Sequence, residues 1–389
     1  MAGIIVEEAT LCYRDGAERD AALRAVSRTY NIRAAHVAPA ASMWATLKLH
    51  GNDMGYLHYL HVTRDVFGEL VAAVPPAIGA WLDGWTDATR TARRPGPPSQ
   101  LDVGDHIAMA LAWSASQLNQ KWLGAVFGTL DAVTSTALLR GVIMLNEGLK
   151  IIPDAAITWP TFEEQRSYAD LVRMWASETF GPAPLPCNIM QFIDGFFIYS
   201  DAPNDVWTQE VFYSRYDAGC GMRTVVSYGP RGRIAWAALC NVGDLAHEFN
   251  ASRPLQERLA DPTWTLPGFS AAGDWAYASA STRYTMATPA YLSGAFPISP
   301  ERRERWIRWH KAVRSVAEFG MRHMRGMWPR MNSRMPTRLA NARLLMSVWM
   351  RLQNLLVSRV DGHSQLKTMF EVAAAEFEAD IARMDAAGL

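Results

Sequence analysis

The chain has 389 residues, of which 49% are hydrophobic and 20% charged, and its formal net charge at pH 7 is zero. That length suits two domains better than one, and the apolar-to-charged balance excludes wholesale disorder. A DNA-binding protein is often basic overall, so neutrality counts mildly against one, and the distribution of charge matters more than its sum. The four cysteines, Cys12, Cys187, Cys220 and Cys240, are scattered without a Cys-x-x-Cys pair. This argues against a zinc site or a disulfide framework and for a reducing, intracellular setting. The opening Met1-Ala-Gly-Ile-Ile-Val-Glu-Glu turns acidic too soon for a signal peptide, and no apolar run reaches membrane-spanning length, so the chain reads as soluble. The fifteen tryptophans are expected mainly as core or interface anchors.

Residues 1–90 read as helical, with apolar positions at helical spacing in Ala21–Val26 and Val66–Val74. The tandem prolines and glycine of Thr91–Ser99 mark a loop or linker, whose Arg90, Arg93 and Arg94 are solvated or touch phosphate. Residues 1–100 are therefore set apart as a helical N-terminal region with a Pro-rich linker. From 101 a second helical block begins. Ile107–Trp113 predicts one helix and Lys121–Gly128 a shorter one. Asp131 is the expected N-cap of a longer helix over Ala132–Leu149. A short helix, a glycine-containing turn and a longer helix outline a helix-turn-helix, a pattern that any helical bundle also contains. Its second helix offers Arg140 and Lys150, with Thr134, Ser135 and Thr136 as polar contacts. A further helix over Thr161–Phe180 opens on Thr161 with Glu164 three residues on, a capping box. Pro182, Pro184 and Pro186 close the helical half, which places a domain boundary near 186.

Beyond 187 the periodicity becomes strand-like. Ile189–Ile193 is an apolar run ending on Asp194-Gly195. Met222–Tyr228 alternates, Gly229–Gly232 is a turn, and Arg233–Cys240 is another strand, so a three-stranded meander is expected. A helix over about 246–260 and a short strand Phe269–Gly273 ending in Asp274 come next. Pro300–Arg325 reads as a long helix, with proline and Glu301 and Glu304 in its first turns. A strand-containing core unit is thus set at 187–332, the helical, helix-turn-helix-like unit at 101–186, and C-terminal helices packing on the core at 333–389.

Three carboxylates stand out by position: Asp194 at a strand end, Asp274 at a later strand end, and Glu318 inside the long helix. Each alone reads as ordinary: Asp194-Gly195 and Gly273-Asp274 as turns, Glu318 as an ion-pair partner of Arg314 or Arg322. Together, in the order strand, strand, helix, they can converge, and a hard divalent cation such as Mg²⁺ (or Mn²⁺) offsets the repulsion of such a cluster. Around Glu318 the bases crowd, namely Arg302, Arg303, Arg305, Arg308, Lys311, Arg314, Arg322, Arg325, Arg330, Arg334 and Arg338, with Trp306, Trp309 and Trp328 interleaved. A basic helix beside carboxylates suits a polyanion brought to a metal site.

Ile193-Asp194-Gly195, Gly273-Asp274-Trp275-Ala276-Tyr277 and Ala317-Glu318-Phe319-Gly320-Met321-Arg322, the last followed by Gly326 and Trp328, resemble the three acidic motifs of the PIF/Harbinger transposase superfamily. The resemblance runs from about 105 to 370 and includes the turn at Phe127-Gly128 and the closing segment Val348–Leu355. It implies an α/β, RNase H-like catalytic core (a mixed sheet flanked by helices) behind an all-α N-terminal region with a helix-turn-helix-like segment. It further implies a DDE triad of Asp194, Asp274 and Glu318 that holds Mg²⁺ or Mn²⁺. DNA contacts are then expected from Arg140, Arg314, Arg322, Arg325 and Arg330, and cleavage at transposon terminal inverted repeats with strand transfer. A Myb-like partner, a homo-oligomer and a nuclear location accompany that reading. One departure is visible. The family's Gly-Ser-x-His-Asp segment reads here Gly243-Asp244-Leu245-Ala246-His247-Glu248, with one residue inserted and Glu for Asp, so the accessory acid is Glu248 or Asp244. A domesticated, DNA-binding descendant of weak or absent activity is the alternative function.

Overall fold

The computed structural model describes residues 38–83, 101–180, 188–243, 247–277, 286–287 and 299–359, with the single positions 370, 375 and 379. The predicted helix at 21–26, the linker at 91–99 with Arg90, Arg93 and Arg94, and Pro182, Pro184 and Pro186 lie outside the described residues.

The N-terminal half is helical: α1 (Met43–His50), α2 (Asp53–Leu60), α3 (Arg64–Asp83), α4 (Val103–Ser114), α5 (Gln120–Phe127), α6 (Asp131–Ile151) and α7 (Phe162–Phe180). Side chains that satisfy the first backbone N–H groups start these helices. Asn52 caps α2, Asn119 caps α5, and Asp102 and Asp105 form a reciprocal box at α4. The box predicted at α7 is present, with the Glu164 N–H donating to Thr161 Oγ1 at 3.2 Å and the Thr161 N–H to Glu164 Oε2 at 2.8 Å. At α6 the cap position falls on Leu130, and Asp131 is the exposed first helical residue, where its charge favours the helix dipole without capping it.

The expected helix-turn-helix geometry is partly realised. α5 and α6 meet at 90° across Gly128, whose φ of +65° suits glycine. The second helix, however, is the centre of a bundle. α6 packs on α3, α4 and the C-terminal helix, and buries Thr134, Ala137, Leu138, Val142, Met144, Leu145 and Leu149. A Cβ at Gly141 would overlap the His106 carbonyl, so α4 and α6 cross in backbone contact. Thr134, expected as a polar contact, is buried and bonds Thr129 at 2.8 Å, while Ser135 donates to Gln120 at 2.7 Å. No single described helix is long and apolar enough to cross a membrane.

The second half is a mixed sheet with helices, so the whole is a mixed α/β fold. Its strands are β1 (Asn188–Tyr199), β2 (Tyr213–Ser214), β3 (Gly219–Tyr228), β4 (Ile234–Asn241), β5 (Phe269–Ala272) and β6 (Met286–Ala287). The predicted meander is present: β1 pairs antiparallel with β3, and β3 with β4. On its other side β1 pairs with β5, and β5 with β6, both parallel. β2 extends the far end of β3, where the short helix α8 (Val206–Phe212) leads into it. Two expectations are corrected. Asp194 is not at a strand end but inside β1, opposite Val226, because the apolar Phe196-Phe197-Ile198 carries the ladder on to Tyr199. The helix expected at 246–260 is two, α9 (Glu248–Ala251) and α10 (Arg253–Ala260), the second with Pro254 in its first turn.

The sheet has two dressed faces. On one, Phe192, Phe196, Met222, Val226 and Ile234 join a cluster with the long helix α11 (Pro300–Met327), α12 (Leu339–Arg359) and the N-terminal helices. This cluster runs unbroken from Trp44 to Leu356, across the position near 186 where the sequence changes texture. On the other face Met190, Ile193, Val225 and Trp236 pack with Leu255 and Leu259 of α10 and with Tyr277. α12 also ties the free side of β4. The Ile234 N–H donates to Asn354 Oδ1 at 2.7 Å, and Asn354 Nδ2 donates to the carbonyls of Ile234 and Ala156, both at 2.9 Å.

Candidate acidic active site

Asp194 and Asp274 both lie just past the last residues paired between β1 and β5. In the parallel pair Phe192 lies opposite Ala272. The ladder ends at that pair; Asp194 is two residues beyond Phe192 and Asp274 two beyond Ala272, and both line one cleft. With a period of two, Asp194 shares a face with Phe192 and Phe196, the face covered by α11. Glu318 is exposed on that helix.

Two openings share Asp194 and Gly195 in their lining. Asp194 and Asp274 line a cleft of about 780 Å³. Asp194 also lines a smaller opening of about 470 Å³ together with Glu318, Arg322 and Arg325. The three predicted carboxylates therefore border adjoining space, with Asp194 common to both parts. Asp194 Oδ1 accepts the N–H of Gly195 at 2.9 Å, and Asp274 Oδ1 accepts that of Ala276 at 2.8 Å. The second contact folds Trp275–Tyr277 into a 3₁₀ turn whose Tyr277 is fully buried. A donor set of three carboxylates, hard oxygens without thiolate, suits Mg²⁺ or Mn²⁺. Among the described residues no three His, Cys, Asp or Glu groups stand in a metal-holding arrangement.

The predicted DNA-contacting bases divide. Arg322 is exposed and lines the smaller opening. Arg325 is half-buried, donates to the Phe197 carbonyl at 2.8 Å and lies 5.1 Å over the Phe196 ring. Burial pulls its guanidinium pKa below the usual value. Beside it, burial pushes the Tyr228 phenol up, with the Asp194 charge adding to the shift and Arg325 opposing it, and the hydroxyl donates to Met321 Sδ at 3.4 Å. Arg330 is half-buried, 4.4 Å over Trp113, within 3.4 Å of the Leu118 carbonyl. Arg140 lies apart, in a pocket of about 330 Å³ with His106 and Thr136. The side chains of Arg314 and Glu248, and the whole of Asp244, lie outside what is described. Trp306, Trp309 and Trp328 are buried at 0%, 6% and 0% exposure and belong to the core.

Sequence reasoning missed one wall of the larger cleft. It is built by the β1–β3 connection, with Glu210, Tyr213, Arg215, Tyr216 and Asp217 lining the space. Asp217 anchors it: the carboxylate accepts Ser214 Oγ at 2.6 Å and Arg223 Nη2 at 2.9 Å, and the backbone carbonyl accepts the Tyr199 hydroxyl at 3.2 Å. His247, from the segment that departs from the family pattern, lines the same cleft. The only advance signal for the wall was a polar, aromatic interruption between two strand patterns. No protein-family model, curated protein or solved structure matches the chain significantly.

Proposed function

We propose that the chain is a metal-dependent DNA endonuclease of the DDE transposase type, with an RNase H-like core and Asp194, Asp274 and Glu318 as its triad. The observation that carries this reading is that Asp194 and Asp274, each two residues past the last paired residues of parallel β1 and β5, line one cleft, with Glu318 on the helix over β1 lining the adjoining opening. A mixed sheet with helices on both faces supports the fold assignment. Bound Mg²⁺ or Mn²⁺ would supply an activated water and offset charge on the attacking and leaving oxygens of an in-line displacement. The chain's own residues do the rest. Asp194, Asp274 and Glu318 would hold the ion, and Arg322, with the exposed Arg303, Arg305, Arg308 and Lys311 of α11, would draw the phosphate backbone in. Arg325 fixes the backbone of β1 three residues past Asp194. In cleavage a water oxygen bonds to phosphorus as the bond to the 3′-oxygen breaks, leaving a 3′-hydroxyl that can attack a target strand. Terminal inverted repeats as substrate, a Myb-like partner, a homo-oligomer and a nuclear location belong to this proposal.

A second reading, a domesticated DNA-binding protein that does not cut, is favoured by one observation: the carboxylates border the cleft without forming a metal-holding group among the described residues. The test is Mg²⁺- or Mn²⁺-dependent cleavage of DNA bearing the element's own ends by wild type, Asp194→Asn, Asp274→Asn and Glu318→Gln. Cutting by wild type and by none of the folded variants upholds the nuclease. Binding without cutting, with a Myb-like partner added, upholds the second reading.

A further inference from the structure

We infer that Tyr213 and Tyr216, on the wall of the larger cleft, stack an unpaired base of the DNA strand whose phosphate lies at Asp194 and Asp274; this rests on the DNA-cutting reading of that site. The wall is a fixed structure. Phe212 is buried beneath it, β2 pairs with β3 at Tyr213 and Cys220, and the Asp217 carboxylate is held by Ser214 and Arg223. Yet it presents Tyr216 at 91% exposure and Tyr213 at 51%. A rigid mount makes these rings a preformed surface. Both line the same space as the two aspartates. A phosphodiester placed at those carboxylates puts its neighbouring nucleotide against this wall, and every base offers a ring face to an aromatic side chain. Arg215, between the two tyrosines and lining the same cleft, adds a guanidinium that suits either a phosphate or a stacked base. Bases inside a duplex have no free face, so the wall selects DNA that is frayed, flipped or single-stranded at the cut.

The test uses a short oligothymidylate, and the same strand annealed to its oligoadenylate complement, as fluorescent probes with the full chain in Ca²⁺. Wild type is expected to bind the single strand more tightly than the duplex. Tyr213→Ala and Tyr216→Ala are each expected to weaken single-strand binding roughly 5- to 100-fold, with Tyr216→Phe retaining wild-type affinity. Tyr216 is exposed, so its variants leave the fold intact, as circular dichroism would record. Alanine variants that bind like wild type overturn the stacking site; if wild type still cuts DNA with Mg²⁺, the nuclease reading survives that failure. Loss of single-strand binding in the alanine variants, with no cutting by wild type, upholds the stacking site and removes the nuclease. Alanine variants with unchanged DNA affinity that dissociate a wild-type oligomer overturn the inference in favour of a protein contact. No binding of either probe by wild type overturns the stacking site and leaves the nuclease reading to the cleavage test on the element's own ends.

Discussion

Gly273 lies so close to Ile193 that a Cβ added to the glycine would come within 2.8 Å of Ile193 Cγ2 and 2.8 Å of the Tyr277 ring. The residue before one aspartate is thus wedged against the residue before the other, and the spacing of the two carboxylates is set by packing directly beneath them. Gly273→Ala is expected to cost about 1–3 kcal/mol and to displace Asp274. Urea unfolding should show the loss of stability. Cleavage should fall further than stability accounts for at temperatures where the variant is folded.

Metal addition offers a readout independent of DNA. An ion that binds only the folded state stabilises it by about 2.7 kcal/mol at a hundredfold excess over Kd. Wild type should therefore melt at higher temperature with Mg²⁺ or Mn²⁺, and Asp194→Asn, which removes the carboxylate shared by both openings, should show no such rise. A metal-induced rise as large in Asp194→Asn as in wild type would place the ion elsewhere.

Arg322 and Arg325 should behave as opposites. Arg322→Ala, at an exposed position, should change stability by less than about 0.5 kcal/mol while lowering DNA affinity and flattening its salt dependence by about one unit of slope. Arg325→Met loses the bond to the Phe197 carbonyl, worth about 1.5–3 kcal/mol for a charged donor. It should destabilise the fold, leaving the salt slope unchanged. Arg325→Lys should rescue little, since one ammonium cannot both reach that carbonyl and lie flat on Phe196.

The folded state should be most stable between mildly acidic and mildly alkaline pH. Burial lowers the His106 pKa below its usual 6.5. The unfolded chain therefore takes up that proton more readily, and stability falls as pH drops through 6.5. Burial pushes the Cys240 thiol from 9.0 up to about 12. Its contribution is complete below pH 9 and is lost as pH rises from 9 towards 12, at about 1.4 kcal/mol per pH unit for one proton. Urea midpoints measured across pH 5 to 11 should trace this dome. A shallower fall above pH 9 in Cys240→Ser than in wild type would assign part of that limb to the thiol; an equal fall would leave it to the raised Tyr228 phenol.

Much of this architecture was legible because periodicity and caps are local. The box at Thr161 and Glu164, the meander from Met222 to Cys240 and the long helix from Pro300 could be read directly. Other features were legible but outweighed by composition. Trp306, Trp309, Val313, Ala317, Met321, Met324 and Trp328 follow one another at helical spacing, which is the stripe of a core-facing helix rather than rings set out for bases. Ala137, Leu138, Val142, Leu145 and Leu149 mark the core-facing side of α6. Asp194-Gly195 reads as a turn in isolation, yet Phe196-Phe197-Ile198 keeps the strand going. What could not be read was the parallel pairing of β1 with β5. Four residues, Phe269–Ala272, carry no usable period, and their partner is chosen by tertiary packing. The cleft wall was hidden for the same reason, since its role depends on where the β1–β3 connection folds back.

The amide of Asn354 does for β4 what another strand would do: it offers Ile234 both an acceptor and a donor. A strand edge with free N–H and C=O groups invites a second molecule to add itself by backbone pairing, the route to open-ended aggregates. Here that invitation is withdrawn at the first residue of β4 by a helix from the far end of the chain. A strand added on this side of β4 would therefore lose the rung at Ile234, whose N–H and C=O are already taken.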